Sequence, residues 1–267
     1  MEYKVNSVRI ILALVLVNAI GFALKYFELD TFIILLGFRF HLGAVIPLLV
    51  VIKKDHISLM KDSLLHPSFK HVGRVILTLL FTNGLFLLVL FLTNKVEIGD
   101  PEYFYEFGLS SIADYPIYLI WNSMHLILLY LFFLIIHKSF KNSFFIMLMS
   151  AILIFAYEFI PLRKMIFNYE SIAAFLLLCL ILTVTVKFLN NIYLFVLLLF
   201  SIIWFSLLAF GTSSLTLVNL FFAANYNSWE GFLTVDKIVS DFIIPINYFL
   251  LLFSLLILSL VTKRKSS

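Results

Sequence analysis

Charge is what this chain has least of. Only 13% of its 267 residues are Asp, Glu, Lys or Arg, against roughly a quarter in an ordinary soluble domain. A chain of this length could bury a sizeable core, but this one lacks the polar residues to cover it. That excludes a water-soluble globular domain. Cysteine is nearly missing too: Cys179 stands alone inside an apolar run, which rules out an intrachain disulfide and a cysteine-cluster metal site and leaves the compartment open. There is no internal repeat, no low-complexity tract, no Gly-rich phosphate loop, no paired-Asp prenyltransferase motif and no HExxH. The formal charge of +4 follows the ends of the apolar runs and forms no basic patch, so no nucleic-acid partner is expected.

What is present is apolar. Hydrophobic residues make up 63% of the chain and the mean hydropathy is +1.10. They fall in runs of the ~20 residues that a membrane-crossing helix needs. The expectation is an all-α, polytopic transmembrane bundle forming one membrane unit over 1–267, with spans near 8–24, 31–52, 75–93, 116–137, 144–160, 171–189, 192–210 and 242–261. The first run, led by Lys4 and Arg9, also resembles a signal peptide, but Gly21 and Ala23 make a poor cleavage site and it reads as an uncleaved span. Residues 192–224 are too long for one crossing. Gly211 to Ser214 interrupt them, and 215–224, too short to cross, read as a re-entrant or interfacial piece within an external loop over 211–241.

Basic residues orient the spans. Thirteen of the 19 Lys and Arg residues fall on one set of sides, five (Lys25, Lys95, Arg163, Lys164, Lys237) on the other, and Arg39 lies within a span. This places both termini in the cytoplasm. Glu97, Asp100, Glu102, Glu106 and Asp114 gather in an external acidic loop over 94–115. An integral protein of the bacterial cytoplasmic membrane is the localisation this implies.

The main cytoplasmic feature is the connection 53–74. Asp55 is placed to cap a short helix in which Ile57, Met60, Leu64 and Leu65 share a face, and Pro67 to stop it. With Lys53, Lys54, Lys61, Lys70 and Arg74 around it, this helix is suited to the anionic cytoplasmic leaflet, making the lipid bilayer the expected partner. The alternative for this helix is a lipid-specific or partner-binding role, with the protein partner unknown.

Polar residues inside apolar spans are expensive and so are informative. Asp114, Tyr118, Asn122 and His125 recur at i, i+4, i+8 and i+11, a stripe running down one helical face from the external loop. His41 in the second span and His125 in the fourth lie at similar depth, roughly 15 Å inside by helical rise. The functional reading makes His125, Asn122, His41 and Glu158 a catalytic set, with Asp114, Tyr118, Arg39 and Arg163 binding substrate. The structural reading makes Asn83, Asn122 and the histidines hydrogen-bonding glue between helices, worth about 0.6 kcal/mol each. Glu158 then pairs with Arg163 or Lys164 across the bend at Pro161, and Lys187 snorkels at its span's cytoplasmic end. Two imidazoles and a carboxylate are zinc-ligand types. Glu158, however, lies shallower than the histidines, and Arg39 and His41 point roughly 200° apart on a helix. No metal is assigned, and no cofactor is named.

Glu158-Phe159-Ile160-Pro161-Leu162-Arg163 resembles the first motif of the CAAX-protease-like intramembrane proteases, two glutamates followed by three spacers and an arginine. Phe159 stands where the second glutamate belongs. That family also uses histidines in later spans, whereas the last histidine here is His137. The likeness covers six residues and implies at most a shared fold.

Three functional classes remain. The leading one is a membrane-embedded hydrolase or transferase acting on a lipid, lipid-linked or membrane peptide substrate. A small transporter or permease is the second, supported by the broken stretch at Gly211. The third is a non-catalytic subunit that scaffolds a complex.

Overall fold

A computed structural model describes residues 5–27, 38–66, 72–98, 109–159, 169–189, 191–199, 233–235 and 237–264. Nine helices make up 90% of these residues. They are α1 (Ser7–Tyr26), α2 (Phe38–Val51), α3 (Lys54–Leu65), α4 (Val72–Leu92), α5 (Leu109–Ser139), α6 (Ser143–Phe159), α7 (Tyr169–Leu189), α8 (192–199) and α9 (Lys237–Arg264). Two short strands, β1 (Val96–Ile98) and β2 (Leu233–Val235), complete the described chain.

Two helices among the described residues are long and apolar enough to cross a membrane. They are Ser7–Leu24, with mean hydropathy 2.2, and Val72–Leu92, with mean hydropathy 2.6. Both are mostly exposed along their length, unlike the core helix of a soluble protein. Shorter apolar helical stretches occur at Leu42–Val51, Ser123–Ser139, Ser143–Ile154, Ile172–Phe188 and Pro245–Ser259. The helices α5 and α9 begin at Leu109 and Lys237, several residues before the expected spans at 116 and 242. Hydropathy marks where a helix could be in lipid, whereas backbone hydrogen bonds continue through Asp114 or Asp241 without penalty.

The chain forms two compact units. The first comprises residues 1–69, 122–166 and 182–196. Here α1, α2 and α6 pack against one another. Their buried stripes run Ile10, Ala13, Leu14 and Val17 on α1, then Ala44, Leu48 and Val51 on α2, then Ser143, Met147, Ser150, Ala151 and Ile154 on α6. Alanine and serine recur in these stripes because small side chains let helix backbones approach closely. Asn6 caps α1 by accepting the Val8 N–H at 3.1 Å. Farther along α1, the Asn18 amide donates to its own helix at Leu14 O, 2.8 Å away, so it needs no interhelical partner. Asn191 caps α8 by accepting the N–H groups of Tyr193 and Leu194 at 3.0 and 3.1 Å. In α5, every residue from Leu129 to Ile136 is buried, the mark of a helix surrounded on all sides.

The second unit comprises residues 70–121, 167–181 and 197–267. Its frame is α4 against α9. The buried residues of α4 are Val75, Leu79, Thr82, Phe86 and Leu90, a single stripe at helical spacing. Thr82 Oγ1 donates to Ser254 Oγ at 3.0 Å, and Ser254 in turn donates to Leu250 O at 2.8 Å. Asn94, at φ 52°, ends α4 in the left-handed conformation. The Lys95 N–H returns to Leu90 O and the Asn94 N–H to Phe91 O, each at 3.0 Å, closing a Schellman-type cap. The chain then enters β1, which pairs antiparallel with β2 in the register Val96↔Val235, Glu97↔Thr234 and Ile98↔Leu233. This ladder ties the end of α4 to the start of α9, so those two ends lie on one side of the unit. The sequence reading gave both places as loops: part of 94–115 is β1 or α5, and part of 211–241 is β2 or α9. Residues 99–108 and 211–232 lie outside the described residues.

Candidate functional site

His125 is the one sequence-derived candidate whose side chain is described. It is 1% exposed and sits 16 residues from Leu109 and 14 from Ser139, close to the midpoint of α5. Leu126 and Leu129 beside it are equally buried. Because α5 is a continuous helix, positions 114, 118, 122 and 125 fall within an arc of roughly 80° on one face. The side chains of Asp114, Tyr118 and Asn122 lie outside the described residues. An imidazole here is able to accept or relay a proton for a substrate that reaches the helix.

Arg39 and His41 occupy the first turn of α2, and Glu158 is the penultimate residue of α6. These helices pack against each other in the first unit, which also contains Asn122 and His125. The side chains of Arg39, His41 and Glu158 lie outside the described residues, as does Arg163 altogether. The structure therefore brings together the helices that carry His41 and Glu158, and leaves the convergence of their side chains with His125 as an expectation. Among the described residues no group of three or more His, Cys, Asp or Glu side chains could hold a metal ion.

Several polar groups outside that stripe have defined partners. The expected cap of α3 is corrected: its N-cap is Lys53, and Asp55 lies in the first turn. His56, also buried, accepts the Lys53 N–H at Nδ1, 3.1 Å away, doing for the helix start what a glutamate does in a capping box. At the other end, Tyr193 Oη donates to Leu64 O at 2.8 Å, satisfying a terminal carbonyl. The Tyr130 hydroxyl faces Ser63 of α3, and its ring packs on Phe195 at 5.2 Å between centroids. Thus α3 is docked on protein along one side. Ile57 (50% exposed) and Leu65 (68% exposed) stay on its outer side with Lys54 and Lys61, whereas Met60 and Leu64 are half-buried. The expected common face is therefore divided between two surroundings.

Two further groupings were missed at the level of sequence. His137 Nδ1 and Ser143 Oγ lie 2.8 Å apart across the α5–α6 turn. The Lys187 ammonium sits 5.7 Å from the centroid of the Phe144 ring. The Thr82–Ser254 bond had a legible signal, a hydroxyl in each of two apolar runs. The Lys187–Phe144 contact had none, since neither residue type marks the other as its partner. Cys179 is buried and packs as a small apolar side chain.

The chain matches no known protein-family model, no curated protein and no solved structure.

Proposed function

We propose that this is a multi-pass membrane protein of the bacterial cytoplasmic membrane, with about eight spans and both termini cytoplasmic. We further propose that it is a membrane-embedded hydrolase or transferase, working on a lipid, lipid-linked or membrane peptide substrate. The membrane part is supported by the outward apolar faces of α1 and α4. It is also supported by contacts that agree with the charge-derived sides. Tyr193 with Leu64, and Lys187 with Phe144, join connections assigned to the cytoplasm, and the β1–β2 ladder joins two assigned outside. The exposed arc of Lys54, Ile57, Lys61 and Leu65 on α3, which mixes cationic and apolar side chains, suits the anionic leaflet.

One observation carries the enzymatic part: a buried ionisable side chain, His125, at the middle of α5, on the face shared by positions 114, 118 and 122. Ionisable groups at such depth default to functional roles because burying them without one is costly. The test is native mass spectrometry of the gently extracted protein beside His125→Ala and Asn18→Leu. A headgroup-specific lipid or other small molecule lost only in His125→Ala, with the melting temperature retained, supports the site. Identical ligand content in all three returns His125 to helix packing.

A further inference from the structure

At one end of the first unit, three exposed lysines stand at adjoining ends of α5, α6 and α7. Lys138 ends α5, Lys141 lies in the α5–α6 turn and Lys187 lies in the last turn of α7; all three are exposed. His137 is tied to Ser143, and the Lys187 ammonium over the Phe144 ring sets the end of α7 beside the α5–α6 turn. No Asp or Glu occurs anywhere in 115–157 or 171–229, so the acidic residues of these helices, Asp114, Glu158 and Glu170, stand at their opposite ends. Over a helix such as α5 that separation is roughly 36 Å, far beyond the Debye length of about 8 Å at physiological salt.

Helix dipoles explain part of this charge, since cations are favoured in a last turn. They do not explain Lys141, which lies in the turn beyond α5. The Lys187 ammonium is held over the Phe144 ring at the start of α6, and Phe145 beside it is 67% exposed. A cation over one aromatic ring, with a second exposed aromatic next to it in sequence, matches the boundary between phosphates and acyl chains.

We infer that the rim formed by Lys138, Lys141 and Lys187, floored by Phe144 and Phe145, binds the phosphate headgroup of an anionic phospholipid. This rests on the membrane reading above, and it concerns a place separate from both His125 and α3. The headgroup supplies negative charge that α5, α6 and α7 do not carry at this end, and the two phenylalanines receive the upper acyl chains. His137 is a positioning residue: its bond to Ser143 fixes the turn that carries Lys141.

The experiment uses the full chain in mild detergent, titrated with phosphatidylglycerol or phosphatidylcholine of matched acyl chains and read by native mass spectrometry. Wild type is expected to retain phosphatidylglycerol over phosphatidylcholine by about fivefold or more. The variant Lys138→Gln/Lys141→Gln/Lys187→Gln is expected to lose that preference, and the control Lys25→Gln/Lys95→Gln/Lys237→Gln to keep it. No preference in wild type, or full preference in the first variant, overturns the site. Displacement of the lipid by inorganic phosphate alone overturns the lipid assignment in favour of a free anion. The membrane reading is judged separately by flotation with vesicles after an alkaline carbonate wash. A protein that does not float refutes that reading, whatever its lipid preference.

Discussion

The helix α4 and the inner half of α5 are written in nearly the same alphabet, yet they are surrounded differently. Leu, Phe, Ile and Val dominate both. In α5, eight consecutive residues from Leu129 to Ile136 are buried, so every direction around the helix meets protein. In α4 only the stripe through Val75, Leu79, Thr82, Phe86 and Leu90 is buried, and Leu77, Leu80, Phe81, Leu88 and Leu92 point away from the protein. Large apolar side chains left outside by a helix this long suit an apolar surrounding, because exposed apolar patches beyond a few hundred Å² are rare in soluble monomers. Composition sets how apolar a helix is. Which neighbours enclose it is decided by small and polar residues placed at helical spacing, such as Thr82 facing Ser254.

The largest expected contrast comes from removing one aromatic ring from each helix. Phe133 is 0% exposed and Phe81 is 70% exposed. Phe133→Ala is expected to destabilise the protein by about 3–5 kcal/mol through cavity formation. Phe81→Ala is expected to change stability by about 0.5 kcal/mol or less, as outward-facing substitutions do. Denaturation of both variants in one detergent measures the difference. An equal loss at Phe81 would mean that another protein surface covers α4.

A charge sharpens the same comparison. Leu80, 66% exposed near the middle of α4, would meet hydrocarbon if the membrane reading holds. Leu80→Lys should then disfavour membrane insertion of this helix by about 2.5–3.5 kcal/mol, measured as the inserted fraction in a translocation assay. A change near zero places that face in water and removes α4 from the list of spans. A smaller effect is expected at the inner stripe. Thr82→Val and Ser254→Ala should couple in a double-mutant cycle by about 0.6 kcal/mol, the usual worth of a hydrogen bond between membrane helices. Additive effects would show that shape, rather than the bond, pairs α4 with α9.

The helices were legible in the sequence because long apolar runs bounded by charge have few other solutions. Their ends were less so, since α5 continues through Asp114 and α9 through Asp241, positions that end a hydrophobic run without ending a ladder of backbone bonds. The β1–β2 ladder was invisible: three-residue strands separated by more than 130 positions carry no periodic signal. The spacing of Asp114, Tyr118, Asn122 and His125 was readable as one helical face, and α5 is continuous through all four positions. Its convergence with His41 and Glu158 depends on which helix faces meet, and no local pattern encodes that. The lysine rim was hidden for the same reason, being assembled from the ends of α5 and α7.

The smallest predicted effect concerns α3, where the two kinds of surroundings meet on one short helix. One side docks through His56, Ser63 and the bond from Tyr193 Oη to Leu64 O; the other exposes Lys54, Ile57, Lys61 and Leu65. Tyr193→Phe removes that bond, which is exposed, and keeps the ring, so the expected loss is about 0.5 kcal/mol. The loss should be local. Amide hydrogen exchange across the last turn of α3 should quicken while exchange in α5 stays unchanged, because the variant frees one helix end without opening the core. Unaltered protection in α3 would instead assign its anchoring to the buried His56 side, making the outward arc of lysines and apolar residues independent of this tether.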